Sequence, residues 1–334
     1  MPEEQSVVVW RDGRAGRILL NRPKALNALD LDMIRILSRA LAGWQDDPHV
    51  HVVVIEGAGD RAFCAGGDII ALRDAQLGGN RAAADAFFRE EYALNLMIAR
   101  YPKPYVALID GICMGGGIGV SVHAPYRVAT EHAMFAMPET GIGFFPDIGA
   151  TYFLPRLPGR IGCYLGLSGA RVQGADAVHA GLATHYCPRA RLGALAQALA
   201  ADGAGVLAAF AGTLPAFSLA GERAALDRCF SGDGLMDVVR GLEAEGSDWA
   251  QRTVEMLRKA SPTALCFTLK ALQRGAGLTL PQALDAEFAL TRTTMAYPDF
   301  AEGVRAMVVD KDRRPRWQPA RIEDVDPAEI AAMF

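Results

Sequence analysis

No apolar run reaches the ~18 residues that a membrane-spanning helix needs, and no charge dominates. Lys and Arg number 34 against 38 Asp and Glu, a net charge of −4, so the basic footprint of a nucleic-acid binder is absent. The six cysteines (Cys64, Cys113, Cys163, Cys187, Cys229, Cys266) form no CxxC and sit in apolar contexts. They read as reduced core residues rather than a disulfide framework. The six histidines form no HExxH and do not pair with cysteines at zinc-site spacing, so no metal is expected. Neither glycine-rich turn completes GxGxxG, which removes a dinucleotide-binding fold. The opening MPEEQSVVVW has neither the apolar segment of a signal peptide nor the arginine-rich pattern of a transit peptide. With the reduced cysteines it points to a cytoplasmic protein. There is no internal repeat, and residues 213–334 carry little strand signal.

What is present is a globular composition, 51% hydrophobic and 22% charged over 334 residues, with its chemistry concentrated in residues 104–149. Tyr105 to Ile109 has the length of a buried strand. Gly115, Gly116 and Gly117 follow, then a helical segment from Ile118 to His123. Glycines between a strand and a helix let the backbone approach a ligand, and the first N–H groups of the helix lack partners within it. Such donors suit an anion or a developing oxyanion. Glu139 and Asp147 come next, in a stretch with no third acid, flanked by Met137-Pro138 and Phe144-Phe145-Pro146. Apolar surroundings raise a carboxyl pKa, which suits acid–base work. Glycine clusters are also ordinary tight turns, and paired acids ordinary surface charges. The combination in apolar sequence favours an acyl-chemistry site.

Along the chain, Val7–Trp10 and Arg17–Leu20 read as a hairpin around RDGRAG. Leu31 to Gln45 has helical spacing of Ile34, Leu37, Leu41 and Trp44. His51 to Glu56 is a buried strand followed by CAGGD, a second glycine turn in which Asp68 can cap a helix. Two glycine turns after two buried strands supply the two converging donors of an oxyanion hole. Residues 73–85 are polar and small and read as a mobile loop. FFREEYALNLMIARY reads as a helix on which one of Glu90 and Glu91 faces water. Past Asp147 the chain reads as helices broken at Pro155 and Pro158, then helices at 249–259, 262–273, 281–296 and 299–309. The order of strands and helices indicates an α/β crossover fold. It divides into a core over 1–200 and a helical region over 201–334.

The blocks LNRPKALNAL, FCAGGDI, IDGICMGGGIGVS, AMPETGIGFFPDIGATYFL and DFAEGVRAMVVDKDRRPRW resemble the crotonase (enoyl-CoA hydratase/isomerase) superfamily over the length of the chain. FFREEY, SVHAPYRVATE and the MPET…FPDIG block resemble its 3-hydroxyisobutyryl-CoA hydrolase branch. The resemblance implies a spiral of ββα units with a helical C-terminal region that often mediates trimer contacts, hence a homo-oligomer. It implies an acyl-CoA substrate, no cofactor beyond the CoA of that substrate, and no nucleic-acid or membrane partner. The thioester carbonyl is expected between the backbone N–H groups of Gly67 and Gly116. Lys24, Ala25, Leu26, Ala65 and Ile69 are expected along CoA, with Arg22 and Lys24 available to its phosphates.

Departures from the family pattern bear on the reaction. Hydratases carry a glutamate three residues after the oxyanion glycine; Gly119 stands there. The second hydratase glutamate is present as Glu139. Eight residues later, where hydratases have glycine, stands Asp147. The resemblance therefore implies hydrolysis of a 3-hydroxyacyl-CoA in valine degradation. Glu139 acts as nucleophile or general base, Asp147 as its catalytic partner or the ligand of the 3-hydroxyl, and Glu91 contacts substrate. Three rivals stand beside it: a hydratase or isomerase, a non-catalytic acyl-CoA-binding protein, and a serine hydrolase built on GVSVH. The last lacks the glycine two residues after Ser121 that a nucleophile elbow needs.

Overall fold

The computed structural model describes residues 5–334, so the first four positions of MPEEQSVVVW lie outside the described residues. The chain divides into two compact units with interleaved segments. The first runs to Asp68 and adds Arg89–Phe135 and Arg171–Phe217; the second is Ile69–Phe88, Ala136–Ala170 and Ser218–Phe334.

The described residues form ten strands: β1 (Val7–Asp12), β2 (Ala15–Leu20), β3 (Val52–Gly57), β4 (Ala62–Cys64), β5 (Tyr105–Ile109), β6 (Ile112–Met114), β7 (Tyr126–Ala129), β8 (Met134–Ala136), β9 (Val172–Gln173) and β10 (His185–Tyr186). In the first unit β1 and β2 form the expected hairpin, with Asp12 opposite Ala15. The larger sheet has the order β1-β2-β3-β5-β7-β10 and the smaller β4-β6-β8-β9. The pairs β3/β4, β5/β6 and β7/β8 each give one strand to each sheet. That alternation, with helices between the pairs, is the spiral of ββα units. Val52 to Ile55 are each 0% exposed, as unbroken apolar strands in a parallel sheet should be. Helix Leu31–Gln45 is capped by Asp30, whose side chain accepts from Met33 N at 2.8 Å, and buries Met33, Ile34, Leu37 and Leu41.

Residues 73–85 are not a loop. Helix Ile69–Leu77 and the start of helix Arg81–Ala99 occupy them, broken only around Gly78, Gly79 and Asn80. The small residues of this stretch are mostly alanines, which have the highest helix propensity, and Leu72 and Ala84 are buried.

Helices build the second unit. Pro262–Gly275 buries residues around its whole circumference, the pattern of a central helix. Ser261 caps it, accepting from Ala264 N at 3.1 Å while donating to Asp299 at 2.5 Å. Helices Asp248–Lys259 and Leu280–Ala296, and Pro298–Val304 continuing as a π turn to Val309, occupy the segments expected to be helical.

Candidate active site

In the first unit the two glycine turns meet. Leu29 and Gly67 form a parallel bridge, with Leu29 N donating to Gly66 O and Asp68 N to Leu29 O, both at 2.8 Å. That pattern uses the N–H groups of residues 29 and 68 and directs the N–H of Gly67 the other way. Gly116 opens helix Gly116–Val122, so its N–H has no acceptor within that helix. A Cβ placed on Gly116 would lie 3.4 Å from Gly67 N, and one on Gly66 would lie 3.8 Å from Gly116 N. The two candidate donors thus border one small space. Glu91 borders it too: its Oε1 lies 2.5 Å from the Cβ position of Gly116, and Glu91 is 2% exposed.

The segment expected to lie along CoA flanks this space. Leu26 O accepts from Ala65 N at 3.0 Å, which sets Ala25 and Leu26 beside Ala65. Leu26 and Asn27 adopt left-handed backbone conformations, φ 52° and 57°. Buried Asn27 holds them by donating to Ala58 O and Ala62 O at 3.0 and 2.8 Å. Lys24 is exposed. Arg22 is committed elsewhere, to Asp30 at 3.2 Å, Asp68 at 3.4 Å and Ala28 O at 2.8 Å. Ile69 begins its helix partly exposed.

Other nucleophiles nearby are disarmed. Ser121 donates back to Gly117 O and Ile118 O in its own helix. Burial pushes the Cys64 thiol up to about 12, so it stays protonated.

In the second unit Glu139 and Asp147 lie on one buried loop, 7% and 6% exposed. Glu139 starts the 3-10 turn Glu139–Ile142. Phe144 packs on Phe88 with near-parallel rings 5.8 Å apart and on Phe145 at 4.7 Å, lining the loop with apolar bulk. Burial first, and the charge of Asp147 second, raise the Glu139 carboxyl well above the usual carboxylate range. Glu139 Oε2 is buried with no hydrogen-bond partner among the described residues.

A third acid was not singled out from the sequence. Glu287, 1% exposed on helix Leu280–Ala296, accepts from Gly149 N at 2.6 Å, Thr151 N at 2.8 Å and Thr151 Oγ1 at 2.6 Å. Burial, with the Asp147 charge, pushes its pKa up to about 8 against those three donors. Glu287 also borders a cavity of about 380 Å³ whose lining includes Thr151, Arg274, Gly275, Leu278 and Leu290. One signal in the sequence could have found it. Ala283, Leu284, Leu290, Thr291 and Thr294 mark the buried stripe of that helix, and Glu287 falls on it.

The sequence expectations thus gather into two sets. Gly67, Gly116, Glu91 and the Lys24–Leu26 segment with Ala65 belong to the first unit; Ile69, Glu139 and Asp147 belong to the second.

A family model described as enoyl-CoA hydratase/isomerase matches residues 15–334. The curated relative "3-hydroxyisobutyryl-CoA hydrolase, mitochondrial" of Rattus norvegicus is 45% identical, over 99% of this chain and 89% of its own. The protein of the same name from Homo sapiens is 42% identical, over 99% and 88%. Among solved structures, a carnitinyl-CoA dehydratase from Mycobacterium thermoresistibile matches with TM-score 0.95 and 40% identity, over 99% and 96% of the two chains. An enoyl-CoA hydratase from Rhodobacter sphaeroides 2.4.1 matches with TM-score 0.93 and 43% identity, over 98% and 97%. The expectation of a cytoplasmic protein is corrected by these relatives, whose names place them in mitochondria. Unpaired cysteines do not separate cytoplasm from mitochondria. Among the described residues no helix is long and apolar enough to cross a membrane. Sequence, strand order and superposition agree: the chain belongs to the enoyl-CoA hydratase/isomerase family.

Proposed function

We propose that this chain hydrolyses the thioester of a short 3-hydroxyacyl-CoA, with 3-hydroxyisobutyryl-CoA as the preferred substrate, a step of valine degradation. The observation that carries the reading is the buried pair on the 139–147 loop. Glu139 has a raised pKa and an oxygen without a partner, Asp147 is coupled to it, and Gly119 occupies the place of the first hydratase glutamate. The names of the curated relatives support it.

Hydrolysis adds an oxygen to the thioester carbonyl and expels CoA thiolate. The N–H groups of Gly67 and Gly116 receive the oxyanion of the tetrahedral intermediate, where one such donor is worth roughly 3–4 kcal/mol. Glu139 drives this addition in one of two ways. It attacks through Oε2, giving a mixed anhydride that water then opens, or it takes a proton from the attacking water. Asp147 shares the proton work with Glu139 or binds the 3-hydroxyl, which Glu91 helps to fix. Lys24, Ala25, Leu26, Ala65 and Ile69 carry the CoA moiety, and no cofactor is required.

Glu139→Gln is expected to lower thiol release by roughly 10²–10⁴-fold, the range for a general base, while CoA binding persists. Turnover near that of the wild type would remove Glu139 from the chemistry. Label in the Glu139 carboxylate after one turnover in ¹⁸O-water identifies an anhydride opened at the Glu139 carbonyl, since the general-base route puts the label in the product alone. A hydratase is the second reading, favoured by the names of the two solved neighbours and opposed by Gly119.

A further inference from the structure

We propose that Glu287 is a positioning residue for the reaction, fixing the turn that aims Asp147. The inference rests on the functional reading of Asp147 given above.

The turn after Asp147 is unfavourable by itself. Ile148, a β-branched residue, adopts φ +58°, and Gly149 follows at φ +82°. Left-handed backbone at a β-branched residue persists only where its surroundings over-determine it. Ala150 N closes the turn onto Asp147 O at 2.9 Å. Glu287, more than 130 residues away in sequence, takes both N–H groups that flank Ala150, together with the Thr151 hydroxyl. Its two oxygens clamp the turn from one side. The backbone of Gly275 also packs closely on the turn, since a Cβ there would collide with Thr151 O.

A purely structural prop at this position need not be an acid. A buried carboxyl is costly, and among the described residues Glu287 forms no ion pair. In either protonation state it turns an oxygen toward each backbone donor, whereas glutamine must turn its NH₂ toward one of them. The charged groups around it are Asp147, which interacts with it, Glu139, which is coupled to Asp147, and Arg274, which lines the same cavity. Misplacing a reacting group by about 1 Å can cost on the order of 10²-fold in rate.

The test uses the full chain and thiol release from 3-hydroxyisobutyryl-CoA. Glu287→Gln is expected to lower kcat on the order of 10–100-fold while KM stays within about twofold, because the CoA-binding segment is untouched. In an Asp147→Asn background the same substitution should cost little more, because a residue acting through Asp147 has nothing left to aim. Thr151→Val should lose part of the rate, and Thr151→Ser, which keeps the hydroxyl, should retain it. An unchanged kcat in Glu287→Gln, or a loss fully additive to that of Asp147→Asn, overturns the inference. If Glu287→Gln does not fold, by near-UV circular dichroism, the Thr151 pair decides, and equal kcat in Val and Ser variants overturns it. Wild-type turnover in Asp147→Asn alone removes the functional reading and this inference together. An impaired Asp147→Asn beside an unaffected Glu287→Gln removes only the inference.

Discussion

Glu90 and Glu91 are neighbours in sequence and opposites in environment. Glu90 makes a two-pronged pair with Arg35, both contacts at 2.7 Å, and Arg35 holds its carboxyl below the usual range. That pair is partly exposed, so solvent screening leaves it little weight in stability. Glu91 is buried beside Gly116. Helical geometry required the two to face apart, and the structure decides which faces in. Gly116 is itself a test of the oxyanion reading. Its Cβ position is 2.5 Å from Glu91 Oε1, so Gly116→Ala pushes on that carboxylate and fills the space bordered by both N–H donors. Thiol release is expected to fall at least about 100-fold, comparable to losing one oxyanion donor, with the fold intact by thermal melting. A folded Gly116→Ala enzyme with unaltered turnover would place the oxyanion elsewhere. Glu139 and Asp147 were legible as a pair because they stand eight residues apart in an acid-poor stretch. Glu287 was not, because its partners lie 136 and 138 residues away and no local pattern links them.

At the scale of elements, the clamp between helix Leu280–Ala296 and the 147–151 turn makes stability depend on pH. Glu139 and Glu287 are both raised above the ordinary carboxylate value of 4.5, Glu287 to about 8. Between those values the folded chain binds more protons than the unfolded one, so stability falls as pH rises. Their contribution is complete below about 4.5 and, for Glu287, is lost as pH passes about 8. Urea midpoints should therefore be higher at pH 5.5 than at pH 8.5, and the difference should shrink in Glu287→Gln. A wild type more stable at the higher pH, or an unchanged slope in the variant, would contradict this. Most elements could be read from local pattern: the hairpin, helix Leu31–Gln45 and the helices after residue 248. Residues 73–85 could not, because their small residues read as loop composition while alanine propensity and burial of Leu72 and Ala84 made them helix.

At the scale of the molecule, the spiral of ββα units follows from strand order and the family from the whole length of the chain. The interleaving of the two units was not visible in sequence, since compactness depends on contacts between distant segments. Compartment was not legible either, because neither the opening residues nor the cysteines distinguish mitochondria from cytoplasm. The reaction is finer still than the fold. Relatives 40–45% identical over nearly the full chain carry the names hydrolase, dehydratase and hydratase, so overall likeness does not choose among them. Two positions, Gly119 and Asp147, favour the hydrolase. The most direct test measures thiol release from 3-hydroxyisobutyryl-CoA beside hydration of crotonyl-CoA with the same enzyme stock. Fast release of CoA with little hydration is the predicted result; fast hydration without thiol release would contradict it.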